Sequence, residues 1–136
     1  MTNILKGAIF YFLGVFAMGF VLGALRNVFL VTYTGPMIAV LIEIPFILLF
    51  SWYFCLLLTG KLAIPPDVHG RLVMGGVAFA CLVTGEILIA MLLQHGRMTD
   101  YLLSFDLPEN RIGLVGQIAF ALFPVIQGYG QARGKR

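Results

Sequence analysis

The chain has 136 residues, of which 60% are hydrophobic and only 11% charged, with a mean hydropathy of +0.98. Soluble domains carry about 25% charged residues, so this composition excludes an ordinary water-soluble enzyme and points to an integral membrane protein. The net charge of +3 comes from basic residues at the ends of apolar runs rather than from a basic stripe, which argues against nucleic acid as a partner.

At about 20 residues per crossing, four spans fill the chain and leave no room for a separate soluble domain. They are expected at residues 5–31, 36–58, 71–94 and 112–129. The first apolar run is longer than the roughly 7–15 residues of a signal-peptide core and lacks a small-x-small cleavage pattern, so it is read as a retained helix. Tyr33-Thr34-Gly35-Pro36 predicts a tight turn, with Gly35 supplying backbone freedom and Pro36 opening the second helix. Pro65-Pro66-Asp67 breaks the chain between spans two and three. The third connection, 95–111, is longer, and its segment 98–106 is compatible with a short amphipathic helix in the membrane interface or with an ordinary loop.

Basic residues set the expected orientation. Lys6, Lys61, Arg71, Arg133, Lys135 and Arg136 fall on one side, against Arg97 and Arg111 on the other. The expected fold is therefore an all-α integral membrane four-helix bundle with both termini cytoplasmic. Cys55 and Cys81 fall in different spans at different depths and read as free thiols.

Three ionisable side chains, Arg26, Glu43 and Glu86, interrupt these apolar runs. A charge at bilayer depth costs about 3 kcal/mol or more unless it is paired or wetted, which makes all three candidates for function. Arg26 and Glu43 are equidistant from the first turn, and Glu43 and Glu86 are equidistant from the Pro65 loop. If consecutive helices pack as antiparallel neighbours, the three share one layer. Gln117, six residues after Arg111, belongs near the same level as Glu86, nine before His95, given about 1.5 Å of rise per residue.

Helix faces support this layer. Gly19, Gly23 and Arg26 form a small-residue face suited to close helix approach. Pro45, two residues after Glu43, removes the amide that would bond the Leu41 carbonyl. One guanidinium and two carboxyls leave an excess negative charge if all ionise, so one carboxyl is expected to take a proton, bind a cation or be hydrated.

Two uses of the layer follow. In the first, Arg26 and Gln117 bind a membrane-soluble or headgroup-bearing ligand, Glu43 orients Arg26, and Glu86, with Glu43, supplies acid–base chemistry. In the second, Arg26–Glu43 and Glu86–Gln117 are staples in a non-enzymatic accessory or scaffold subunit. Its glycine faces (Gly19, Gly23, Gly75, Gly76) would dock a membrane-protein partner or a second copy. A proton or ion path is a weaker reading, since few polar residues continue past Thr84, Ser51 and Thr59. No metal is expected: His69 and His95 fall on opposite sides of the membrane, and no HExxH or paired-cysteine motif occurs. The same placement disfavours a bis-histidine haem, and no other cofactor is indicated.

Gly23-x-x-Arg26, Gly35-Pro36, Ala39-Val40-Leu41-Ile42-Glu43-Ile44-Pro45 and Gly85-Glu86 together give a distinctive pattern. It resembles a group of small four-helix inner-membrane proteins of bacteria that have no established activity. The resemblance spans most of the chain and implies a bacterial inner membrane without implying a reaction.

Overall fold

The computed structural model describes residues 1–94 and 97–134; His95, Lys135 and Arg136, used above for topology, lie outside the described residues. The chain forms helix α1 over Thr2–Thr34, α2 over Pro36–Lys61, α3 over Val68–Gln94, the short α4 over Met98–Leu103, and α5 over Pro108–Gly134. α1, α2, α3 and α5 are long and apolar enough to cross a membrane. At about 1.5 Å per residue, each exceeds the roughly 30 Å of a bilayer's hydrocarbon core.

The helices run past the expected spans because polar ends continue the backbone hydrogen bonding beyond the apolar stretch. Pro36 and Pro108 occupy first-turn positions, where a missing N–H costs nothing. At the start of α3, Asp67 Oδ2 accepts the Gly70 N–H at 2.6 Å, a side-chain cap on an orphan amide. Gly35 adopts φ +82°, a left-handed geometry that permits the sharp reversal from α1 to α2. The segment 98–106 is helical: α4 runs into a 3-10 turn over Ser104–Asp106.

The four long helices form a ring in the order α1–α2–α5–α3. α1 and α2 are neighbours, as are α3 and α5, but among the described residues α2 and α3 make no close backbone approach although they follow one another in sequence. The connection 62–67 therefore crosses the end of the bundle to reach the diagonal corner. Its Ile64 side chain, 4% exposed, plugs that end against Gly7 and Met74.

α1 and α5, the other diagonal, make no close backbone approach among the described residues, and Tyr11 reaches across between them. The Tyr11 ring stacks on Phe120 at 4.3 Å, and its hydroxyl donates to the Phe120 carbonyl at 3.0 Å. That carbonyl would normally accept the amide four residues on, but Pro124 stands there and has none. Tyr11 replaces the lost donor, and the kink-prone position is satisfied in the apolar interior.

Candidate functional site

Arg26 opens a π-helical segment, Arg26–Leu30, in which the Val31 amide reaches back to the Arg26 carbonyl. A π-turn inserts a residue's worth of rotation and often marks a functional position. Arg26 Nη1 donates to Glu43 Oε2 at 2.8 Å, a charge-assisted bond at the α1–α2 seam, with the two side chains 27% and 13% exposed.

Glu86 lies across the ring, at the α3–α5 seam. Gln117 Nε2 is 2.7 Å from both of its carboxylate oxygens, and the Tyr101 hydroxyl donates to Oε2 at 3.5 Å. Among the described residues the ion pairs within 4.0 Å are Arg26–Glu43 and the exposed Arg111–Asp106, so Glu86 is held by neutral donors alone.

The structure thus brings the four candidates together as two pairs. Glu43 and Glu86 sit on diagonal helices, which corrects the expectation that consecutive helices pack side by side. The pairs are nevertheless linked in height: Ile44, after Glu43, packs 4.0 Å from the Cβ position of Gly116, just before Gln117.

Above Glu86, α4 closes over a cavity of about 300 Å³ lined by Met91, Arg97, Asp100, Tyr101, Ser104 and Asn110, among others. Local bonds hold this lid in place. Asp100 Oδ2 accepts the Arg97 amide at 3.1 Å, Asn110 Nδ2 donates to the Ser104 carbonyl at 2.7 Å, and the Tyr101 ring meets Phe105 edge-on at 5.3 Å. Tyr101 both lines the cavity and touches Glu86. Burial, and then the Glu86 carboxylate it faces, push the Tyr101 phenol above its ordinary value of 10.0.

A pH consequence follows with a definite sign. The unfolded chain ionises this phenol at about pH 10 while the folded protein still holds the proton. The stability Tyr101 contributes is therefore intact below pH 10 and lost as pH rises through the higher folded value. The difference in phenolate absorbance between the native protein and Tyr101→Phe should have its midpoint above 10; a midpoint at the ordinary value would mean that Tyr101 is not docked on Glu86.

The bundle interior separates this site from the end that carries the termini. Leu82, Ala78, Val15 and the stacked Tyr11–Phe120 pair fill it and are all nearly inaccessible. Among the described residues no three His, Cys, Asp or Glu side chains converge as a metal site would require. Cys55 and Cys81 are free.

The glycine face proposed beside Arg26 is open. Gly23 has no neighbour within 4 Å of its Cβ position and Gly19 only Ile47 at 4.0 Å; tight approaches occur elsewhere, among them Gly7 against Ile64, Gly14 against Phe54 and Gly75 against the Ala121 carbonyl. Sequence reasoning overlooked Tyr101, whose aromatic–polar spacing in 98–106 was the available signal. It also overlooked Tyr11 and Gln127, and took Arg71 only as a topology residue; all three are buried. Comparison of the chain with protein-family models, with curated proteins and with solved structures finds no match.

Proposed function

We propose that this is a multi-pass protein of the bacterial inner membrane, termini cytoplasmic, that binds the polar head of a membrane-soluble ligand at Glu86, Gln117 and Tyr101. The ligand enters from the outer leaflet through the cavity under α4. Arg26–Glu43 has the separate task of holding the first hairpin. One observation carries this reading: among the described residues Glu86 faces the amide of Gln117 and the hydroxyl of Tyr101 and no cation, beside the cavity that Tyr101 lines. An intramembrane carboxyl without a cation is neutralised by a proton or by a positively charged ligand group, so Glu86 is poised to bind a cationic or proton-donating head and to exchange a proton with it. Apolar Met91, 45% exposed on α3, offers the ligand's hydrocarbon part a surface continuous with the bilayer.

The test is purification in native lipid followed by mass spectrometry of bound small molecules. The native protein should retain a stoichiometric amphiphile, and Glu86→Gln should bind it about tenfold or more weakly, the worth of a charge-assisted hydrogen bond. Equal retention by a folded Glu86→Gln protein would refute the reading.

A second reading, an accessory subunit of a larger complex, draws support from the open positions at Gly23 and Gly76. It predicts stoichiometric partner proteins in the same preparation.

A further inference from the structure

Arg71 is the most deeply buried charged side chain among the described residues, 1% exposed, and it lies at the end of the bundle opposite Glu86. Its Nε donates to the Pro65 carbonyl at 3.0 Å, and its Nη2 donates to the Ile64 carbonyl at 3.1 Å and to Gln131 Oε1 at 3.0 Å. Among the described residues no carboxylate lies within 4.0 Å of it. These bonds strap the 62–67 crossover onto α3 and α5. They also leave Nη1, with its two N–H groups, sealed from solvent and without a partner.

One other side-chain atom in the described bundle is buried and unpartnered, Oε1 of Gln127 on α5. Gln127 is 4% exposed, and its Nε2 donates to the Trp52 carbonyl of α2 at 2.8 Å. The two orphans flank the same stretch of α5. Gly128, next to Gln127, has its Cβ position 3.2 Å from the Arg71 stem, and Gln131, one turn on, binds the same guanidinium. One orphan is a donor and the other an acceptor, and they do not bond each other.

The chemistry of this pair selects its ligand. An anion would accept from Nη1 but could offer nothing to the Gln127 oxygen. A cation would be repelled by the guanidinium. A species that accepts from one group and donates to the other is required, and water is the smallest that does both. We propose that Arg71 Nη1 and Gln127 Oε1 share one buried water molecule, bound in a site built from α3 and α5. Through Trp52 that water ties in α2, and through Ile64 and Pro65 it ties in the crossover loop. It completes the polar knot at the end of the bundle that carries the termini.

The test uses crystals of the intact protein grown from a lipid phase, at a resolution that shows ordered water. Density is expected within about 3.2 Å of both Nη1 and Oε1, and unchanged after chloride is exchanged for bromide. An anomalous bromide peak there would replace the water with an anion site, and a direct Arg71–Gln127 bond or a dry gap would also overturn the proposal. Gln127→Met supplies the second measurement. It should lose the density while Arg71 keeps its carbonyl bonds, whereas density that persists in this variant would mean the water is not shared.

Discussion

Gly75→Ala should weaken the protein by about 3 kcal/mol, at the upper end of what overpacking costs, while Gly76→Ala should leave it unchanged or slightly more stable. At Gly75 an added methyl falls on the Ala121 carbonyl oxygen, which is helix backbone and has no rotamer to yield. α3 and α5 must move apart, and the Glu86–Gln117 contact at the same seam moves with them. At Gly76 the methyl meets nothing within 4 Å, and alanine gains up to about 1 kcal/mol over glycine in a helix interior. Unfolding of the two variants in one detergent, with circular dichroism as readout, makes the comparison. Equal effects at both positions would contradict the close crossing of α3 and α5. Should Gly76→Ala instead leave the isolated protein stable but strip partner proteins from it, the accessory-subunit reading gains.

The second large effect belongs to the α1–α2 seam. Arg26→Leu or Glu43→Leu alone should each cost about 3 kcal/mol, because either leaves a partly buried charge without its partner. The double variant should recover most of that loss, since a buried ion pair replaced by apolar groups of similar volume is often neutral. A double-mutant cycle measured by reversible unfolding reads the coupling directly. Near-additive losses would mean that the 2.8 Å pair contributes little and that each residue acts through something else. The cycle also separates this seam from the ligand site: under the proposed function, the Arg26→Leu/Glu43→Leu double variant still retains the amphiphile that Glu86→Gln releases.

Much of the architecture was legible because it rests on hydropathy and spacing. The four apolar runs, the Gly35-Pro36 reversal and the break at Pro65-Pro66 each depend on local residues. Equal sequence distance from a turn paired Arg26 with Glu43, and a similar count brought Gln117 to Glu86. The ring order was not legible. These helices are apolar on every side, so periodicity does not tell which face meets which neighbour, and a six-residue crossover reaches either an adjacent corner or a diagonal one. The separation of Glu43 from Glu86 follows from that choice. Arg71 was read as a topology anchor at the surface because its partners, the Ile64 and Pro65 carbonyls, are backbone groups with no sequence signature. The same is true of Tyr11, which serves a carbonyl freed by Pro124, 113 positions away in the chain.

The ring order also bears on how the polypeptide enters the bilayer during synthesis. Arg26 and Glu43 lie on consecutive helices that are direct neighbours, so the guanidinium finds its counter-ion as soon as the second helix emerges, before any residue of the third has been made. Neither charge then has to face acyl chains alone. Glu86 has no such early companion: its donors Tyr101 and Gln117 follow 15 and 31 positions later, and a nascent chain halted before them would carry one carboxyl awaiting both.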